Sequence, residues 1–208
     1  MRRIVVAALV LVLAAGLASV GSAATPKRYS ISGAGATIAV PAAWEALDRR
    51  TVTNSAAFRR FIDENPALRP FVAQMTGANS AIKLMAFDVK QSGTFATNVN
   101  VVLSSPAPSG LTPQQVASIY GRELKARLKT IHGPVSASVV TLPSGKAVRA
   151  SYKVNFTNQG RRLTVQTLQY LVLRPDKSLV VTFSTVPSEA ARRSGTFTTI
   201  ARSLRFSS

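Results

Sequence analysis

One histidine and eight side-chain carboxylates are the groups this 208-residue chain offers to a metal site, a Ser-His-acid triad or a carboxylate pair, and it contains no cysteine. A metalloenzyme or a Ser-His-acid hydrolase would have to use His132. That residue directly precedes Gly133-Pro134, where the spacing predicts the last turn of a helix, and a cation there suits the helix dipole. The absence of cysteine excludes thiolate metal sites and cysteine nucleophiles. No HExxH, GxSxG or P-loop pattern occurs, and the short "GAG" at 33–35 lacks the third glycine and the following helix of a dinucleotide fingerprint. Paired carboxylates are the remaining enzymatic route. Asp63-Glu64 reads as a helix-end pair, Asp176 as a turn residue, and Glu189 as a first-turn residue beside a cap. Glu45 and Asp88 have no such local explanation, yet nothing in the sequence brings them together. These residues point away from catalysis, and neither a metal nor an organic cofactor is expected.

Charge carries more information. The chain holds 26 basic and 8 acidic residues. A net charge of that size attracts polyanions through its summed potential. In residues 147–156 the decoration is one-sided: Val148, Ala150, Tyr152, Val154 and Phe156 share one face, while Ala147, Arg149, Ser151, Lys153 and Asn155 share the other. Arg161-Arg162 opens the next strand, which carries Thr164, Gln166, Thr167 and Gln169. Arg149, Lys153, Arg161 and Arg162 are therefore the candidate surface for an anionic ligand, with arginine supplying bidentate donors. The same alternation also describes an ordinary solvated strand face.

The compartment follows from the first residues. Met1-Arg2-Arg3, an uncharged apolar run over 4–20 and the small residues Gly21-Ser22-Ala23-Ala24 read as a secretory signal peptide over 1–24. An uncleaved membrane anchor is the alternative. Residues 25–208 are then one domain bearing 24 basic and 8 acidic residues, about +16. Outside a bacterial membrane the polyanions at hand are lipid headgroups and phosphorylated wall polymers, so nucleic acid is not an expected partner.

The elements that must position these residues are legible from periodicity. Residues 25–35 read as a linker into a strand at 37–40, which Pro41 stops, and Trp44 folds back onto the sheet. Phe58, Phe61 and Ile62, then Leu68, Phe71, Val72 and Met75, form helical stripes over 55–75, with Pro70 demanding a kink. "IKLMAFDV" and "TNVNVVL" read as strands joined through residues 90–93. Thr112, Pro113 and Gln115 form a capping box opening a helix that runs on to Gly133-Pro134. Four strands follow, at 135–142, 147–156, 162–174 and 179–186, separated by short turns that imply antiparallel neighbours. Ser188 caps a last helix with Phe197, Ile200, Ala201 and Leu204 inward. This order is an α+β domain with a mostly antiparallel sheet and helices against its faces.

Three segments carry a resemblance: Val40-Pro41-Ala42-Ala43-Trp44, then Ala96-Thr97-Asn98-Val99-Asn100-Val101 before the capped helix, and the closing strand–"TVP"–helix with "IARSLRF". Together they resemble the Mog/PsbP-like family, in particular the extracytoplasmic actinobacterial branch typified by the lipoprotein LpqN, over residues 29–206. The resemblance implies a three-layer α/β/α sandwich around an antiparallel sheet of about six to seven strands. It also implies a non-enzymatic accessory or binding role in the envelope, with no catalytic residues to carry over. The lipidated cysteine of the lipoprotein members is missing here. The expected function is an exported adaptor or binding protein of the bacterial envelope, engaging an envelope protein or an anionic lipid or polymer. Two alternatives stay open: a lipid or glycolipid carrier with an apolar pocket between the sheet and the helix at 55–75, and a hydrolase using His132 or Glu45 and Asp88.

Overall fold

The computed structural model describes residues 25–48, 80–88, 95–106, 109–158 and 161–207. The signal segment at 1–24, the helix at 55–75 and the turn at 90–93 lie outside the described residues.

Seven strands form one antiparallel sheet in the order β3-β4-β5-β9-β8-β7-β6. They are β3 (Glu45–Asp48), β4 (Ile82–Phe87), β5 (Asn98–Ser104), β6 (Ile131–Leu142), β7 (Gly145–Asn158), β8 (Arg161–Val172) and β9 (Ser178–Thr185). Helix α1 (Pro113–Arg127) carries the chain from β5 in mid-sheet to the far edge at β6. The meander β6–β9 then returns and closes against β5. Thr112 caps α1 as its sequence requires. Its hydroxyl accepts from the Gln115 amide at 3.3 Å, and the Gln115 side chain accepts from the Thr112 amide at 2.8 Å.

Period-two alternation sends the two faces of this sheet into two cores. On one face Val148, Ala150, Tyr152 and Val154 pack with Met85, Phe87 and the inward Val116, Tyr120 and Leu124 of α1. On the other, Val99, Val101, Tyr170, Val181 and Phe183 meet α2 (Ala190–Arg202) and a small sheet of β1 (Lys27–Ile31), β2 (Ala36–Val40) and β10 (Arg205–Phe206). Phe183 stacks on Phe197 with ring centroids 4.8 Å apart. The sandwich has three layers, and its second outer layer mixes a helix with strands.

"IAVPAAW" is the junction of that layer. Ile38 and Val40 end β2 fully buried, Pro41 stops the strand, and the Trp44 amide turns back onto the Pro41 carbonyl at 2.9 Å. Trp44 itself is 4% exposed within the second core, as its sequence context predicts.

Three expectations change. Residues 27–31 form β1, paired antiparallel with β2, instead of a linker. The hairpin is made possible by Gly33 and Gly35, whose φ values of 77° and 56° suit glycine. Helix α1 ends at Arg127, and His132 lies in β6 opposite Lys153 instead of in a helical turn. The Asn155 amide donates to the Thr130 carbonyl at 2.9 Å, so pairing with β7 captures the chain early. Gly133, with φ of 79°, sits at the resulting bulge. Leu128 and Ile131 still pack on the α1 core, which is why their spacing continues the helical stripe in sequence. Finally, Ser188 makes no cap: residues Pro187–Glu189 form a 3-10 turn, and Glu189 precedes α2 without a side-chain capping bond.

Candidate functional site: a row of cations on an open sheet face

Helix α2 and the small sheet cover only part of their face. Beyond Ala147 this face opens gradually: Leu168 and Tyr170 of β8 stay buried in the second core, Ser151, Asn155, Thr164 and Gln166 are half-buried, and Ser136 and Ser138 of β6 are exposed. Register fixes who stands together there. Arg149 lies opposite Ser138 and Tyr170, Lys153 opposite Gln166, Asn155 opposite Thr164, and Arg162 opposite Thr157. Arg149, Lys153 and Arg162 therefore share one face, Arg149 half-buried and the other two exposed. Arg161 pairs with Asn158 and stands one residue out of phase with that row.

The neutral groups of the face satisfy one another. Thr164 donates to Asn155 Oδ1 at 2.7 Å, and the Gln166 amide donates to Ser151 Oγ at 3.0 Å and to the Tyr152 carbonyl at 3.1 Å. Among the described residues no carboxylate pairs with Arg149, Lys153 or Arg162. The ion pairs lie elsewhere: Glu123 with Arg127, Asp176 with Lys177, Glu189 with Arg192 and Arg193, and Asp88 with Arg193. Among the described residues the row thus presents three cations without a carboxylate partner, beside Ser151, Asn155, Thr164 and Gln166, which are engaged with one another.

Spacing decides what such a row can hold. Arg149 and Lys153 are four residues apart on β7, and Thr157, opposite Arg162, is four further on. At about 3.4 Å per residue these steps are about 14 Å each. That exceeds the Debye length of about 8 Å at physiological salt, so the cations act independently and do not chelate a single anion. An array of separated negative charges is what matches them.

The strand after Arg161-Arg162 is not a uniformly polar surface, as its composition suggests. Thr164 and Gln166 face outward with the row, whereas Thr167 and Gln169 are fully buried under α1. There Tyr120 donates to Gln169 Oε1 at 2.6 Å, Tyr152 approaches the same oxygen at 3.5 Å, and the Gln169 amide donates to Thr182 Oγ1 at 2.9 Å. Burial raises both phenol pKa values, that of Tyr120 further through its neighbour Tyr152. Asn98 and Asn100 extend this inward polar stripe, both without exposure. Alternation within "TNVNVVL" and "LTVQTLQYL" separates inward from outward positions, but polarity alone gives no hint that an inward face is polar.

The structure does not join Glu45 to Asp88. Glu45 is exposed and pairs across β3–β4 with Phe87, a residue of the α1-side core. Asp88 is held on the α2 side by Arg193, whose Nη1 lies 2.6 Å from its carboxylate. His132 is exposed, and no cluster of His, Cys, Asp and Glu able to hold a metal occurs among the described residues. A shallow groove of about 380 Å³ lies between β2 and α2, lined by Ala39, Pro41, Thr199 and Ile200 among others. Among the described residues no helix is long and apolar enough to cross a membrane.

No protein-family model matches the chain, and no curated protein matches it. Solved structures do. The solution structure of cyanobacterial PsbP from Synechocystis has a TM-score of 0.53 at 16% identity, over 92% of this chain and 98% of its own. The Ran-binding protein Mog1p of Saccharomyces cerevisiae gives 0.49 at 11% identity, over 87% of this chain and 95% of its own. LpqN of Mycobacterium tuberculosis, described as involved in cell envelope biogenesis, gives 0.47 at 14% identity, over 89% of this chain and 86% of its own. The similarity to PsbP, with its near-complete coverage of both chains, establishes the fold as Mog/PsbP-like α+β.

Proposed function

We propose that this chain is an exported, non-enzymatic binding protein of the bacterial envelope, on the LpqN-like side of its fold. Its ligand is an array of anions: the phosphates of a wall polymer or of lipid headgroups. The observation that carries this reading is the row of Arg149, Lys153 and Arg162 on one face of β7 and β8, spaced too widely for one small anion and without a carboxylate partner among the described residues. The apolar, Arg-tipped first 24 residues and the excess of basic over acidic side chains support the compartment and the sign of the ligand.

The test compares two variants of equal net charge. R149Q/K153Q/R162Q removes the row, and K27Q/K83Q/R202Q removes three cations elsewhere. Binding is measured to inorganic polyphosphate and to vesicles containing anionic lipid. At about 1 kcal/mol per cation near an anionic surface, the row variant loses about 100-fold in affinity. The control variant loses only a few-fold if position matters. Equal losses for the two variants would reduce the effect to net charge and refute the site.

A further inference from the structure

The outermost strand of the large sheet on the basic side is β6, and among the described residues nothing pairs with its outer side. The phase of its ladder can be read from two bonds. The Asn155 amide donates to the Thr130 carbonyl, and the Leu173 amide donates to the Lys146 carbonyl at 3.0 Å. Odd-numbered residues of β7 therefore turn their backbone groups toward β6, and even-numbered ones toward β8. Through the register Ser136↔Ser151, Ser138↔Arg149 and Val140↔Ala147, the even-numbered residues of β6 answer them. Ala137, Val139 and Thr141 then hold N–H and C=O outward along about 14 Å of edge.

Soluble proteins guard such edges with charge, proline or a bulge. Here the bulge at Gly133-Pro134 interrupts one end, but "VSASVVTL" over 135–142 has neither charge nor proline. The charges stand beside the edge instead. Arg149 and Lys153 lie one strand inward on the open face. On the other face α1 packs over β6, so closely that a Cβ on Gly121 would meet the Ala137 side chain at 3.2 Å. The exposed side of α1 carries Arg122 and Lys125, and Lys129 is exposed in the turn that follows it.

We propose that β6 is a strand-addition site for an extended acidic segment of a partner protein. Main-chain pairing to Ala137, Val139 and Thr141 supplies the grip, and carboxylates on alternate residues meet cations on whichever face they occupy. A second copy of this chain fits poorly, because pairing β6 with β6 brings the same cations of two molecules together. The proposal does not depend on the polyanion reading: it requires the backbone edge, whereas that reading requires only side-chain charge.

The probe is an end-blocked octapeptide alternating glutamate and threonine, with a lysine–threonine peptide as the control. Hydrogen exchange on the unmodified protein reads the edge directly. The glutamate peptide slows exchange at the Ala137, Val139 and Thr141 amides about tenfold or more, and leaves the inward-paired amides unchanged. Thr141→Pro removes one outward N–H without touching the β7 ladder. It weakens peptide binding about tenfold and leaves polyphosphate binding intact. Unchanged exchange at all three amides, equal binding by Thr141→Pro, or equal binding of the lysine peptide would each overturn the proposal.

Discussion

Beneath α1, two tyrosines share one acceptor, and the difference between them can be predicted. Tyr120 donates to Gln169 Oε1 at 2.6 Å, whereas Tyr152 reaches the same atom only at 3.5 Å. Tyr120→Phe leaves a fully buried amide oxygen with the weaker donor alone. Losing the partner of a buried polar group costs about 1–3 kcal/mol, so about 2 kcal/mol is expected here. For a domain of this size that lowers Tm by about 4–8 °C. Tyr152→Phe removes a marginal bond and costs about 0.5 kcal/mol. The same burial imposes a pH dependence. Both phenols have raised pKa values when folded, with desolvation the largest cause for each. In the unfolded chain they ionise near pH 10. The contribution of the two neutral phenols is therefore complete below pH 10 and is lost as pH rises from there toward the folded-state values. The limiting slope is about 1.4 kcal/mol per pH unit for each tyrosine. Urea unfolding at pH 9, 10, 11 and 11.5 measures it, with Tyr120→Phe/Tyr152→Phe as the reference. The double variant starts less stable and falls less steeply above pH 10. An identical slope in the two proteins, or a larger loss for Tyr152→Phe than for Tyr120→Phe, would refute this account of the network.

Asp88→Asn leaves the Arg193 guanidinium, only 14% exposed, with Glu189 at 3.6 Å as its remaining carboxylate, and costs about 3 kcal/mol by urea denaturation. Glu189→Gln costs below about 1 kcal/mol in the same assay, because its partner Arg192 is mostly in solvent and its more distant partner Arg193 keeps Asp88. Thr112→Ala removes one half of the capping box of α1 and costs about 1 kcal/mol, with near-UV circular dichroism unchanged at neutral pH.

How much of this was readable from sequence depended on whether a signal was local. The capping box at Thr112 is a local device, and it forms as written. The alternation in 147–156 is equally local, and it places Arg149 and Lys153 on one face without reference to the rest of the chain. The end of α1 is not local. Leu128 and Ile131 continue a helical stripe in sequence, but the hydrogen bond from Asn155, 25 positions beyond Thr130, decides that the chain leaves as a strand. The pairing of β1 with β2 was hidden for a different reason. Lys27, Arg28 and Ser30 form the solvated outer positions of a strand on the small sheet, and their polarity reads as linker. The polar stripe under α1 was hidden because the sequence shows where Gln169 and Asn98 alternate, but not which face the helix covers. For the candidate site, residue types were legible while distance was not. Only register reveals that Arg162 extends the row of Arg149 and Lys153, and that Arg161 falls out of phase with it.

The central claim concerns where an anionic array touches the protein, and amide NMR during titration with inorganic polyphosphate addresses it most directly. The account predicts that the largest shifts fall on Arg149, Ser151, Lys153, Arg162 and Gln166, saturate together, and vanish as salt is raised through the range in which the Debye length contracts below about 8 Å. Shifts centred on the small sheet at Lys27, Arg28 and Arg205, or spread evenly over the exposed cations, would contradict it.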